Sequence, residues 1–266
     1  MSQVSINNTD IYFEFCGQGD PLLLIAGLGS DSSSWVGVIG GLSEQFTVVT
    51  FDNPGTGRSG EMKEPFTVEH MAQYATGLLD HLKISRVHIL GHSLGGYVAQ
   101  HIAFTFPDRI GKLILESTSY VSSKRNNELF AGFSNELKKS LDYEKWIRTW
   151  ASWLFSQKNL KDDKFIDAFV RSAVDYPLRQ RAEEFKAQVQ AIASFDGKDN
   201  ARRIKAETLV LEGADDILIT PEEAKQLSGL INGSSFKLVK DTGHSLHIEK
   251  PEDFLRVVLS FLARQE

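Results

Sequence analysis

Cysteine is nearly absent: the 266 residues contain one, Cys16. A single thiol excludes an intrachain disulfide and cannot build a cysteine-rich zinc site, so a reducing compartment is expected. Cys16 itself reads as a structural thiol, because it closes a short strand with no histidine beside it in any motif. Long apolar runs are also missing, and no stretch approaches the roughly 18 residues of a membrane-spanning helix. Residues 1–20 lack a basic start followed by an apolar segment, so neither an anchor nor an export leader is expected and the location read from sequence is cytoplasmic. Basic charge is scarce: 29 lysines and arginines stand against 35 aspartates and glutamates, for a formal net charge of −6. Phosphate backbones repel such a surface, which makes nucleic acid a poor partner.

What is present suits one large core, with 41% apolar and 24% charged residues. Val4–Ile6 and Ile11–Phe15 alternate around Asn7-Asn8-Thr9-Asp10, which reads as a hairpin. Later strands look different. Leu22–Ala26, Phe46–Phe51, Val87–Leu90, Leu113–Leu115, Thr208–Leu211 and Phe236–Val239 are short apolar runs of the kind buried on both faces of a parallel sheet. Helix-length stretches lie between them at 34–44, 67–82, 94–106, 221–230 and 251–263, with Thr67 a candidate cap. The alternation predicts a doubly wound α/β sheet. From about 120 to 203 the rhythm breaks into a strand-free segment rich in helix formers and aromatics, including Trp146, Trp150, Trp153 and Phe185. The expected organisation is therefore a core of residues 1–119 and 204–266 with a helical insertion at 120–203.

Directly after the strand Val87–Leu90 stands Gly91-His92-Ser93-Leu94-Gly95, followed by a helical pattern. This is G-x-S-x-G in the context that gives it meaning, a strand turning sharply into a helix with glycines where the chain doubles back. A serine hydroxyl is a weak nucleophile unless a base accepts its proton and a carboxylate orients that base. His244, just past the last strand, is the candidate base, with His247 three residues on as competitor. A metal pair of His244 and His247 finds no third ligand at plausible spacing. Carboxylates at Asp215 and Asp216 follow the seventh strand, and Glu116 ends the sixth.

With these residues in view the chain resembles the α/β-hydrolase superfamily over nearly its whole length. Ser93, Asp216 and His244 follow the superfamily's order of nucleophile, acid and histidine, with Asp216 three residues after Gly213, where similar members place the acid. Gly243-His244 with Glu249, Pro251, Glu252 and Phe254 resembles the family's closing motif, and the insertion falls where many members carry a cap. The resemblance implies an eight-stranded, mostly parallel sheet with helices on both faces. Among subgroups it is strongest to 3-oxoadipate enol-lactonases and aminoacrylate hydrolases. It implies a serine hydrolase that cleaves a small ester or lactone through an acyl-enzyme, with the backbone N–H groups of Leu28 and Leu94 as oxyanion donors and neither metal nor cofactor. C–C hydrolysis, acyl transfer and slow ligand turnover in a signalling protein are the alternatives on the same triad. One departure stands out: many members open the oxyanion loop with His-Gly, whereas Ala26-Gly27-Leu28-Gly29 stands here.

Two further patterns are decoys or side readings. Gly55-Thr56-Gly57-Arg58-Ser59-Gly60 matches G-x-G-x-x-G, but Pro65 leaves no room for the helix whose N-terminus would hold a pyrophosphate, so a glycine-rich loop is expected. Arg179 and Arg181 read as solvated helix residues, against the substrate-carboxylate role that enol-lactone chemistry would require.

Overall fold

The computed structural model describes residues 2–61, 66–139 and 142–263. It opens with the hairpin of β1 (Ser2–Ile6) and β2 (Thr9–Cys16), joined by a two-residue turn at Asn7 and Asn8. Both take positive φ, 48° and 60°, which a type I′ turn requires and asparagine tolerates. Next come β3 (Pro21–Ile25), a 3₁₀ turn at Ser32–Trp35, α1 (Val36–Ser43), β4 (Thr47–Phe51) and α2 (Val68–His81). The Thr67 side chain caps α2 as expected, accepting from the His70 N–H. β5 (Val87–His92), α3 (Leu94–Thr105) and β6 (Ile110–Glu116) complete the first half of the sheet.

Between β6 and the next strand the chain is helical: α4 (Lys124–Lys139), α5 (Tyr143–Leu154), α6 (Gln157–Leu160), α7 (Asp163–Asp175), α8 (Ala182–Ser194) and α9 (Lys198–Ala201). Among the described residues this stretch contains no strand, only an isolated bridge between Val121 and Asp196. The core then resumes with β7 (Glu207–Gly213), α10 (Pro221–Leu230), β8 (Ser235–Val239), α11 (Leu246–Glu249) and α12 (Pro251–Leu262).

The eight strands lie in the order β1-β2-β4-β3-β5-β6-β7-β8, antiparallel for β1–β2 and β2–β4 and parallel thereafter. Alternate side chains feed two cores. Leu22, Leu24, Val48, Leu90 and Ile114 meet α1 and α12 through Val38, Leu42, Phe254 and Val258 on one face. Leu23, Ile25, Val49, Ile89 and Leu113 meet α2 and α3 through Met71, Leu78, Val98 and Ile102 on the other. Each such fully buried side chain stabilises the fold by about 1.5–3 kcal/mol, which explains why the middle strands read as unbroken apolar runs. β8 departs from that expectation. It is the edge strand, with Lys237 and Leu238 exposed, so its apolar run does not mark burial on both faces.

The winding positions the site. From β3 the chain moves to one side to form β4, then returns across to form β5 on the other side of β3. At such a reversal the connections leave in opposite directions and open a crevice at the carboxyl ends of the two strands. Ser93 follows β5, and the Ala26–Gly29 loop follows β3.

Candidate active site

Ser93 sits at the tip of the turn from β5 into α3, with φ 53° and ψ −115°. This is a backbone conformation that an L-residue adopts only under constraint, at a cost of order 1–3 kcal/mol. The constraint is visible: the Ser93 N–H donates to the Glu116 carbonyl at 2.9 Å, and its own carbonyl accepts from Gly96 N–H and Thr118 Oγ1, each at 2.9 Å. A Cβ on Gly91 would overlap the Gly95 carbonyl oxygen, and one on Gly95 would overlap that of Ile25. Both glycines are therefore required by the close approach of backbone to backbone.

The structure brings Ser93, His244 and Asp216 together. His244 Nε2 lies 2.9 Å from Ser93 Oγ, and its Nδ1 lies 2.7 Å from Asp216 Oδ2. The other carboxylate oxygen, Oδ1, accepts from the Leu218 N–H at 2.8 Å and the Ile219 N–H at 3.1 Å, so the turn after β7 aims Oδ2 at the ring. Asp215 is exposed and points elsewhere, its N–H donating to the Thr242 carbonyl. Glu116 and His247 do not join this array. They pair with each other, Glu116 Oε1 accepting from the His247 backbone N–H at 3.1 Å and lying 2.8 Å from its Nδ1.

Leu28 lines the same cavity as Ser93, and Leu94 opens α3 immediately after it. Neither backbone N–H donates to a protein acceptor among the described residues. Two free donors beside a hydroxyl at a helix N-terminus form a place where developing negative charge is favoured.

The cavity has a volume of about 480 Å³. Its far wall is aromatic and comes from the helices between β6 and β7, chiefly Phe130, Trp146, Trp150, Phe165, Phe169 and Phe185. α5 supplies five lining residues at helical spacing, Tyr143, Trp146, Ile147, Trp150 and Leu154, whereas Trp153 packs against the core outside the cavity. Asp31, Tyr176 and Arg179 form a polar margin. Burial and the Asp31 carboxylate push the Tyr176 hydroxyl up to about 12, so it stays protonated and donates to Asp31 Oδ2 at 2.5 Å. Arg179 lies over the Tyr143 ring at 4.6 Å, and its guanidinium donates to the Val174 and Tyr176 carbonyls. Arg181 is outside the cavity, paired with Glu184 and Glu61.

Three supporting side chains hold the array, of which His92 and Glu249 stood in motifs of the sequence, and their roles there were not legible. His92, inside the G-x-S-x-G motif, lies 2.9 Å through Nε2 from the His244 backbone carbonyl. A carbonyl only accepts, so Nε2 carries the proton. Burial, with His247 and His244 nearby, holds the His92 ring far below the ordinary imidazole range and hence neutral. Glu249 anchors the loop that carries His244: Oε1 accepts from Gly243 N–H, and Oε2 from the backbone N–H and Oγ of Ser156 and from Asn159 Nδ2. The His244 N–H in turn donates to the Leu154 carbonyl at 2.8 Å, so this loop is tied to the α5–α6 junction. Glu212 is buried beside Asp216; burial first, then the Asp216 charge, push its carboxyl well above the usual carboxylate range. His92 meets His244 across 152 positions, and Glu249 meets Ser156 and Asn159 across 93 and 90, so no local period announces these contacts.

His92, Glu116 and His247 place ligand-type atoms within 4.8 Å of one another. Glu116 Oε1 pairs with His247 Nδ1 and His92 Nε2 holds a backbone carbonyl, while Glu116 Oε2 and His247 Nε2 have no partner among the described residues. The Gly55–Gly60 segment is a set of tight turns fixed by Asp52, whose carboxylate accepts from the Arg58 and Ser32 N–H groups. Among the described residues no helix begins between this segment and Val68, and Pro65 itself lies outside the described residues. Cys16 ends β2 and is exposed, away from the cavity.

A strand-to-helix elbow at a topological reversal, with an acid and a histidine on the two later loops, defines a class. The α/β-hydrolase fold family model matches residues 20–251, and the chain belongs to that family. A 2-hydroxy-6-oxo-2,4-heptadienoate hydrolase from Pseudomonas putida is 31% identical over 94% of this chain and 91% of its own length. A protein of Pseudomonas savastanoi that carries the name of a carbamate hydrolase is 26% identical over 94% of this chain and 97% of its own. Among solved structures, the enol-lactonase of Burkholderia xenovorans superposes with a TM-score of 0.89 at 25% identity, covering 99% of this chain and all of that one. No helix among the described residues is long and apolar enough to cross a membrane.

Proposed function

We propose that the protein is a serine hydrolase that cleaves a small ester or lactone through an acyl-enzyme. The observation that carries this reading is the continuous contact from Asp216 Oδ2 through the His244 ring to Ser93 Oγ, at 2.7 and 2.9 Å, at the floor of an apolar cavity. Ser93 Oγ attacks the carbonyl carbon as His244 Nε2 takes its proton. Asp216 holds the ring with Nδ1 protonated and stabilises the imidazolium that forms. The oxyanion gathers at the N–H groups of Leu28 and Leu94. His244 then returns the proton to the departing alcohol oxygen, a water enters, and the same steps in reverse release the acid and restore Ser93. This route needs no metal or organic cofactor.

The helices of residues 120–203 act as a cap that sets the acyl group: six Phe and Trp rings from this segment line the cavity with Ser93 and favour an apolar chain or ring there. A second reading is C–C hydrolysis on the same residues. It draws on the 31% identical relative, because a 2-hydroxy-6-oxo-dienoate contains no ester bond to cleave.

The test is a panel of p-nitrophenyl esters, lactones and 6-oxo-dienoates with purified protein. Ester or lactone turnover within about 1–1,000 per second, reduced at least about a thousandfold in Ser93→Ala, is the expected result. Turnover confined to the 6-oxo-dienoates transfers the assignment to the second reading. Unchanged ester turnover in Ser93→Ala refutes the mechanism.

A further inference from the structure

The loop after β3 lacks the histidine with which many members of the family begin it, yet it is held in place from an unexpected direction. Gly27 to Ser30 form a tight turn, closed by a 3.2 Å bond from Ser30 N–H to the Gly27 carbonyl. Gly29, the third residue, has φ +72°, and Leu28 is not among the residues with positive φ, which defines a type II turn. In this turn the Leu28–Gly29 peptide is flipped relative to the commoner type I form, and its N–H points away from the chain's own acceptors. Gln188 of α8 receives it: Oε1 accepts from the Gly29 N–H at 3.0 Å.

Gln188 is fully buried, and its Nε2 has no hydrogen-bond partner among the described residues. A buried amide donor without a partner weakens a fold, and methionine would fill the same space without that penalty. Packing therefore does not account for a glutamine here, whereas the carbonyl oxygen does. One helical turn earlier, Phe185 covers the same glycine, where a Cβ would come within 3.2 Å of the ring. α8 thus reaches down from the inserted helices and clamps the turn.

The geometry points to Gln188 as a positioning residue for the oxyanion donor Leu28, so that the inserted helix α8 sets the geometry of the reaction centre as well as roofing it. The link is the planar trans peptide. The carbonyl of Gly27 and the N–H of Leu28 belong to one peptide unit and point in opposite directions. Ser30 holds the carbonyl, so the N–H is aimed the other way, and Gln188 keeps the following peptide in the orientation that maintains this turn. Gly27 packs against Ser93, a Cβ there lying 3.2 Å from the Ser93 Cβ, so a rotation of the turn displaces the donor from the reacting centre directly. The inference rests on the acyl-transfer reading above.

The test compares full-length wild type with Gln188→Met and Gln188→Leu on p-nitrophenyl butyrate. It adds the affinity of each for butylboronic acid, whose tetrahedral adduct on Ser93 places an oxygen at the oxyanion position. Hydrogen exchange of the 26–30 backbone and the melting temperature are measured alongside. The expected result is a kcat lower by about 10- to 100-fold with KM within about twofold, and a boronate affinity weakened by the same factor as kcat. Exchange at 26–30 rises, while the melting temperature of Gln188→Met does not fall. A role in packing alone would move the melting temperature and leave the kcat-to-boronate correlation flat. Wild-type kcat and boronate affinity in either folded variant overturn the inference while the serine mechanism stands. A wild-type protein that neither hydrolyses the ester nor binds the boronate refutes the acyl-transfer reading itself. The exchange measurement does not depend on activity, and unchanged exchange at 26–30 in both variants refutes the clamp on its own.

Discussion

Two histidine rings three residues apart each meet a buried carboxylate, and the difference between them lies on the far side of the ring. His244 has Ser93 Oγ at its other nitrogen, while His247 Nε2 has no partner among the described residues. Asp216→Asn is therefore expected to lower kcat by at least about a hundredfold on a folded protein, because an amide that donates to Nδ1 favours the wrong tautomer. Asp215→Asn, on an exposed side chain, is expected to lose less than about tenfold, with kcat of the purified variants as the measurement. Glu212 gives a second expectation with a definite sign. Its folded-state pKa is raised above the unfolded value, so the native state holds a proton that the unfolded chain releases, and stability falls as pH climbs above about 4.5 at up to roughly 1.4 kcal/mol per unit. Below that pH both states are protonated and the term vanishes. Glu212→Gln removes the term, so its advantage in urea midpoint over wild type should be near zero at pH 4 and widen towards pH 8. A constant offset across that range would show that Glu212 is charged in the native state. The residues of the Ser–His–Asp array were legible because each occupies a loop with its own local signature. His92 and Gln188 were not, since each has meaning through a partner more than 150 positions away, and Glu212 was not, since its burial beside Asp216 is a tertiary fact.

The elbow between β5 and α3 concentrates strain in one residue, and that strain is measurable as stability. Ser93 holds φ 53° and ψ −115°, a region that glycine enters freely and alanine does not. Ser93→Gly should thus be more stable than Ser93→Ala by about 1–3 kcal/mol in denaturant unfolding, even though both remove the hydroxyl. Equal stability would mean that the turn relaxes when the serine is lost. At this scale the sequence was most informative. β1 and β2 were expected from their alternation around a turn, and β3 to β7 within a few residues from their apolar runs, because a strand buried on both faces must be apolar whichever core it faces. β8 showed the limit: Phe236, Leu238 and Val239 form an apolar run, yet edge position leaves Leu238 exposed. Order in the sheet is a tertiary fact, and a single strand's composition does not carry it. The 3₁₀ start at Ser32–Trp35 was likewise hidden. Its cap, Asp31, reads as an ordinary loop acid until Ser33 N–H is seen to donate to it.

Over the whole molecule, the inserted helices and the core share the site. The His244 loop hangs from Leu154, Ser156 and Asn159 through its backbone and Glu249, and the Leu28 turn is held by Gln188, so both loops are bonded to the helices between β6 and β7. The sequence announced a helical, aromatic segment between β6 and β7. It did not show which rings turn inward: Trp150 lines the cavity and Trp153, three residues on, does not, because the direction of α5 relative to the sheet decides the face. The central claim remains that Ser93 is the nucleophile of this assembly. Intact-protein and peptide mass spectrometry after exposure to a fluorophosphonate tests it most directly. The account predicts one adduct per chain, mapped to Ser93 and absent from folded Ser93→Ala; an adduct that persists on another residue of that variant, with hydrolytic activity retained, would contradict it.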